Sequence, residues 1–395
     1  MEAIVAGGGV SGTATAIALR RIGSDVTLYE THPDPAGQVG SFLSLASNGL
    51  RGLEALGCLD QVQQTGFAVP TQRMWSGTGR LLAEVPRGRL SGDPLFSATL
   101  MRDSLVEVLR KCATQAGVRI LTGRRLVAAE PVGDGIRAQF ADGSSARADL
   151  LVGADGLWSA TRSVLDPGAP RPVYGGLYSV SGVADGVPAE TGTFNMVFGR
   201  CGAFLHIPAP DGTVWWSAQV ADPRPPKPTD VGDDRWLDRL AELYRFEPKA
   251  LEIIRATTQL HRPTLMHTLA EVPIWHDERV VVLVGDAAHP VGAGQGVSMA
   301  IEDAVVLARA LADADSTGEG FAEYDRLRRA RIGKMAKAAR TNRDAKTVGP
   351  IARRFRDLVM PVAFGHFYER ATTWLYTHDL GTLPAQAVQT RPAEH

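Results

Sequence analysis

The sequence predicts an α/β protein in which a parallel sheet with helices is interlocked with an antiparallel sheet and followed by C-terminal helices. Three observations carry this reading. Continuous apolar runs, as a strand buried on both faces requires, stand at Glu2–Ala6, Leu150–Gly153 and Val280–Val284, and each runs into glycine and then a helical pattern. Between about Pro167 and Pro273 the pattern changes to short alternating segments broken by Pro and Gly, which is how antiparallel strands read. From Ala300 onward the periodicity is mostly helical.

The first run leads into Gly7-Gly8-Gly9-Val10-Ser11-Gly12, a GxGxxG pattern, and then a helix with Ala14, Ile17, Ala18 and Arg21 at helical spacing. A second strand, Val26–Tyr29, closes at Glu30, 18 positions after Gly12. Strand, glycine loop, helix, strand and acidic residue make a Rossmann-like dinucleotide fingerprint. One glycine allows the tight turn, one lets backbone approach a pyrophosphate, and one lets helix and strand pack closely. Glu30 would accept hydrogen bonds from ribose hydroxyls.

Leu43 to Leu56 reads as helical, with Gly57 as its cap. Phe67–Pro94 reads as an inserted β-ribbon. A helix resumes at Leu100 with Arg102 in its first turn, and strands follow at Val118–Leu121, Leu126–Ala129 and Ile136–Phe140, with Asp142-Gly143 as a turn. Asp155-Gly156 follows a buried strand and precedes a helical pattern, so it reads as a strand-end site rather than a plain turn.

Further strands are expected at Leu177–Val183, Thr193–Phe198, Ala203–Ile207 and Val214–Val220, a rigid proline cluster at 223–228, and helices at Trp236–Tyr244 and Ala250–Ala256. The insertion implies that the two layers share strands. The basic runs Arg326–Arg331 and Lys334–Arg343 read as solvated helix faces. In an open α/β sheet, ligands sit outside the carboxyl ends of the strands, so one dinucleotide could touch Gly7–Gly12, Asp155-Gly156 and Gly285–Gly296 together.

Composition bounds the partners. The chain has 395 residues, 44% hydrophobic, with a formal net charge of -1, which favours neither nucleic acid nor an anionic membrane. Cys58, Cys112 and Cys201 form no CxxC pair, so neither a dithiol motif nor a thiolate metal site is expected. No basic leader precedes the first motif and no apolar run reaches membrane-spanning length, so a cytoplasmic monomer or homodimer acting on a small molecule is the expectation.

Three motifs in order, GxGxxG with Glu30, then Asp155-Gly156-x-x-Ser159-x-x-Arg162, then Gly285-Asp286-Ala287-Ala288-His289-Pro290 with Gly294-Gln295-Gly296, resemble the single-component FAD-dependent aromatic hydroxylases, the p-hydroxybenzoate- and salicylate-hydroxylase-like flavoprotein monooxygenases. The likeness runs over nearly the whole chain, including WLYTHDL near the end. It implies FAD as cofactor, NAD(P)H as transient reductant, O2 as oxidant, and a flavin C4a-hydroperoxide that hydroxylates the substrate.

The resemblance gives residues their roles. Gly7, Gly9, Val10, Ser11 and Gly12 take the pyrophosphate of FAD and Glu30 a ribose, Arg102 contacts the cofactor, and the Leu126 backbone meets the adenine. Asp155 and Gly156 serve FAD and NAD(P)H. Asp286 takes the ribityl chain. Pro290 and Gly294, Gln295, Gly296, Val297 and Ser298 lie at the flavin ring, whose anionic edge suits a helix N-terminus. Residues 1–66, 95–166 and 274–345 would form the FAD domain, 67–94 and 167–273 the substrate domain, and 346–395 a helical segment. His206 is a candidate base for a phenol, although a packed strand histidine is the more ordinary reading. His289 reads as a loop-fixing residue. Phe204, Trp215 and Gln219 are substrate-pocket candidates, Trp215, Ser217 and Gln219 sharing one strand face and Trp216, Ala218 and Val220 the other. The segment between His289 and Gly294 is shorter than in many relatives. A flavin-dependent halogenase or epoxidase, or a non-catalytic flavin-binding protein, are the alternatives.

Overall fold

Five strands form an all-parallel sheet in the order Val281–Leu283, Leu150–Gly153, Glu2–Ala6, Asp25–Tyr29, Arg119–Leu121. The structure is a computed structural model and describes residues 1–33, 41–226, 233–292, 294–346 and 349–384. The end of the proline cluster, the loop residue Ala293 and the last residues of the helical segment lie outside that set. The central strands are the apolar runs of the sequence. All of Leu150–Gly153 is buried, as is Glu2–Ala6 beyond its first residue. Helices Val10–Arg21 and Gly296–Asp313 pack together on this sheet. Their apolar residues, with helix Arg102–Gln115, make the largest core.

The second large sheet follows the order Thr257–Leu260, Val173–Ala184, Val214–Ala221, Gly202–Pro208, Thr193–Phe198, Thr71–Ser76, Leu81–Pro86, with Thr264–Thr268 also paired to Val173–Ala184. It is antiparallel except where Thr193–Phe198 runs parallel to Thr71–Ser76. That exception arises because the early hairpin joins beside a strand that returns after a long connection, which a parallel pair requires. Among the described residues no strand belongs to both large sheets. The chain crosses between them instead of sharing strands as expected. One reverse side of this sheet is sealed by helices Asp233–Leu243 and Pro248–Arg255 over Phe204, Trp216, Trp236 and Tyr244. Phe204 stacks on Trp216 at 5.5 Å, a contact worth about 1 kcal/mol beyond its area.

Three further points depart from expectation. Phe42–Leu45 and Ala98–Met101 are strands paired with each other, so the helices begin only at Ser47 and Arg102. Apolar pattern alone does not separate a short strand from a helix start. Cys58 and Cys112, far apart in sequence, are both buried in the same core. Arg328 and Arg331 in helix Thr317–Lys346 are not solvated: they are 0% and 7% exposed.

Candidate active site

A cleft of about 690 Å³ opens at the carboxyl ends of the parallel strands and extends to the face of the second sheet. The two glycine motifs meet at its base. Gly285, at φ +59°, packs so closely on Ser11 that a Cβ there would lie 2.5 Å from the Ser11 hydroxyl. Gly12 presses on the loop from below, where a Cβ would stand 1.8 Å from the Gly7 carbonyl oxygen. Gly9 has open space in front of it. Its loop therefore offers bare backbone to the cleft. The Glu30 carboxylate accepts from Gly8 N at 2.6 Å and His32 N at 2.7 Å, and it lines the cleft with its remaining acceptor capacity.

The helices that follow both glycine loops, Val10–Arg21 and Gly296–Asp313, have no side-chain cap and no acidic residue in the first turn. Free N–H groups and the positive dipole ends of two helices thus converge near one space. The residues fit a dinucleotide with a phosphate-rich middle and an anionic ring edge.

The second motif works as a brace. Asp155 accepts from Thr161 N at 2.9 Å, from Thr161 Oγ1 at 3.0 Å and from the Ser159 hydroxyl, so its carboxylate caps helix Ala160–Leu165. Arg162 donates to Ala287 O at 2.9 Å and Leu157 O at 2.7 Å, tying this strand end to the Gly285–Ala287 turn. Burial pushes its pKa down, and Asp155 works against that. Asp155 and Gly156 still line the cleft.

The third motif rests on a buried charge cluster. Asp303 accepts from Gly285 N at 2.8 Å, contacts His289 Nε2 at 2.6 Å and pairs with Arg328 Nε at 2.6 Å. Glu302 pairs with Arg328 at 2.5 Å and with Arg331 at 2.7 Å, and accepts from Asn48 Nδ2 at 2.7 Å. Burial alone would raise both carboxyl pKa values. His289 and Arg328 for Asp303, and Arg328 and Arg331 for Glu302, overcome it and lower them. His289 thus holds the loop. Helix Ser47–Ala55 crosses here at Gly49, where a Cβ would meet the Ser298 hydroxyl at 2.5 Å. Asp286 lines the cleft, where desolvation raises its carboxyl pKa and His289 and Arg102 partly offset it.

The predicted residues divide. Gly7, Gly9, Val10, Ser11, Glu30, Arg102, Asp155, Gly156, Asp286, Gly294, Gly296, Val297 and Gln219 line the cleft. Gly12, Gln295 and Ser298 pack just behind it. Pro290 stands in the same loop but does not line it. The Leu126 side chain is buried in the core with Ile4 and Ala6.

Two substrate-side expectations are corrected. Strand pairing sets Leu205 opposite Ser217 on the cleft face, and His206 opposite Trp216 on the reverse. Phe204 and His206 therefore face away from the cleft, because side chains alternate along a strand. Burial lowers the His206 pKa to about 3. Trp215 shares the cleft-side face but packs on Phe42 at 6.2 Å and Phe67 at 5.2 Å. Residues not singled out from sequence include Phe194, Met196, Leu205, Met266 and Arg87, all lining the cleft. The Arg87 guanidinium sits 3.8 Å over the Phe194 ring and donates to Gln72 Oε1 at 2.7 Å. Burial lowers its pKa.

A parallel α/β sheet with two uncapped helix ends on one cleft, walled by a separate sheet, is the arrangement of a nucleotide-cofactor enzyme. Residues 1–339 match the FAD binding domain family, and the chain belongs to it. It is an FAD-dependent monooxygenase of the aromatic hydroxylase group. It is 30% identical over 421 residues to a salicylate hydroxylase of Pseudomonas putida, covering 97% of this chain and 94% of that one. It is 30% identical over 349 residues to 3-hydroxybenzoate 6-hydroxylase 1 of Aquipseudomonas alcaligenes, covering 84% and 86%. Its fold is similar to that of Klebsiella pneumoniae HpxO, solved with FAD and uric acid, at TM-score 0.83 and 22% identity over 96% of this chain and 98% of that one. No helix among the described residues is long and apolar enough to cross a membrane. No metal-holding cluster of His, Cys, Asp and Glu occurs among them.

Proposed function

We propose that this chain uses NAD(P)H and O2 to insert one oxygen atom into an aromatic acid or related activated ring. The observation carrying this reading is the joint cleft, where two open helix N-termini and Glu30 sit beside a wall of Phe194, Met196, Leu205, Ser217 and Gln219. FAD when bound supplies electron transfer and oxygen activation, by the C4a-hydroperoxide route the family resemblance implies. The chain's own residues do the rest. Gly7–Gly12 takes the pyrophosphate, Glu30 a ribose, and the Leu126 backbone the adenine. Arg102 and Asp286 hold the middle of the cofactor, and Gly294–Ser298 presents N–H groups to the flavin ring. The substrate lies on the Ser217 and Gln219 face, with Arg87 as its cation for a carboxylate, a role its planar fork suits. His206, the candidate base, lies behind the sheet, and the favoured substrate is a ring already activated by its own substituents.

The domain division is proposed as 1–66, 95–166 and 274–345 for the cofactor and 67–94 and 167–273 for the substrate. The protein would act in the cytoplasm as a monomer or homodimer. The test is NAD(P)H oxidation by the FAD-loaded protein, with salicylate, 3-hydroxybenzoate and uric acid as first candidates. Product gaining one oxygen atom from ¹⁸O2 is expected. NAD(P)H oxidation that yields only hydrogen peroxide with every ring compound, or a halogenated product, would refute the reading. A Ser217→Trp variant should retain flavin and raise KM at least about tenfold.

A further inference from the structure

Helix Pro350–Tyr376 packs on strand Leu81–Pro86 with one face and leaves the other bare. On the packed face Met360 and Phe364 join Met74, Leu82 and Phe198, and the Arg356 guanidinium sits 4.2 Å over the Phe198 ring. On the bare face Ile351, Phe355 and Leu358, spaced four and three apart, form one ridge. At 87%, 67% and 70% they are the most exposed large apolar side chains among the described residues. A single exposed leucine needs no explanation, but the three together make a contact surface.

Arginines rim the ridge. Arg354 stands exposed beside Phe355. Arg353 Nη2 donates to the Arg200 carbonyl at 3.5 Å, and Arg80 Nη2 to the Asp357 carbonyl. The Arg200 and Arg245 guanidiniums lie 3.8 and 4.4 Å from the centre of the half-exposed Phe246 ring. Arg80, Arg200, Arg353 and Arg354 pair with no carboxylate among the described residues. The acids of this corner are engaged elsewhere, Asp357 with Arg356 at 2.8 Å and Glu242 with Arg245 at 2.7 Å, and Glu247 is buried. The net charge of -1 over the whole chain thus conceals a corner of excess positive charge. Charges more than about 10 Å away do little to neutralise it at ordinary ionic strength.

We propose that this corner docks the protein on an anionic lipid bilayer. The arginines meet headgroup phosphates, which a guanidinium binds through two parallel hydrogen bonds. Ile351, Phe355 and Leu358 enter the boundary between headgroups and acyl chains. Basic and large apolar side chains together on one exposed helix are what interfacial attachment requires. A second copy of the chain is the poorer occupant. A two-fold pairing of the ridges would bring two uncompensated arginine groups together, and like charges oppose that contact. An anionic surface turns the same charge into attraction. The attachment is peripheral, since no helix among the described residues is long and apolar enough to cross a membrane. No cleft residue takes part, so the inference does not rest on the oxygenation reading.

The test is co-sedimentation of the FAD-loaded protein with vesicles of phosphatidylcholine alone and of equal parts phosphatidylcholine and phosphatidylserine. Binding to the anionic vesicles at least about tenfold tighter than to the neutral ones, and weakened by added salt, is expected. Arg200→Ala/Arg354→Ala should weaken it at least about tenfold. Phe355→Ser/Leu358→Ser should weaken it by at least about as much, and flavin absorbance of both variants checks folding. Three results would overturn the proposal: no preference for anionic vesicles, absence of binding included; anionic binding that either variant leaves unchanged, which would place the attachment elsewhere; or a concentration-dependent dimer in sedimentation velocity that Phe355→Ser/Leu358→Ser dissolves, which would give the ridge to a second copy.

Discussion

Two buried polar regions flank the cleft, one behind the Gly285–Gly296 loop and one behind the substrate sheet, and they are built on opposite terms. In the first, Asp303, Glu302, Arg328, Arg331 and His289 are all engaged at hydrogen-bond distance. In the second, no ion pair forms: Glu247 Oε1 accepts from Arg200 N at 2.8 Å, while His206 Nδ1 and Glu247 Oε2 are buried without a hydrogen-bond partner among the described residues. The carboxylate–guanidinium pairs of the first fix one geometry, that of the Gly285–Ala287 turn.

The sharpest way to break the contrast is Asp303→Ala. It removes one of the two carboxylates paired with the fully buried Arg328 and frees the Gly285 amide, so a loss of about 3 kcal/mol is expected in chemical denaturation, together with loss of bound flavin. A loss below 1 kcal/mol would mean that the network does not hold the loop. Removing both charges is next in size. In Asp303→Leu/Arg328→Met, about half or more of that stability should return, because an apolar pair leaves no uncompensated charge.

A control lies outside both regions. Gly12→Ala places a Cβ against the Gly7 carbonyl, and about 1–3 kcal/mol of strain should appear with a lower flavin-to-protein absorbance ratio. The smallest effect concerns His206. Its folded pKa of about 3 lies below its ordinary value near 6.5, so the unfolded state takes up the proton first and stability falls as pH drops through that window. Between pH 7 and 6 the loss from this group is about 0.7 kcal/mol, and His206→Gln should remove it, seen as a flatter pH dependence of Tm.

What could be read from sequence follows from how local each device is. Gly7–Gly12 and Glu30 announce themselves because turn, close approach and acceptor lie within 24 residues. Buried parallel strands are legible for the same reason. The support of the third motif was not, because Arg328 and Arg331 sit in a basic run that resembles any solvated helix face. A clue did exist: Glu302-Asp303 falls inside an apolar helix, and buried acids require cations. On the substrate sheet, alternation correctly grouped Trp215 with Ser217 and Gln219. Only the three-dimensional pairing says that this face, and not that of Phe204 and His206, borders the cleft.

The contact between Gly285 and Ser11 also carries a consequence for synthesis. A nascent chain that has made its first glycine loop still lacks the turn that packs on it, and that turn is clamped through Asp303 by Arg328. At about 5–20 residues per second, the loop waits some tens of seconds on the ribosome for its counterpart. Cofactor capture is therefore a late, essentially post-translational event, and truncated chains ending before Arg328 would leave the ribosome unable to retain flavin.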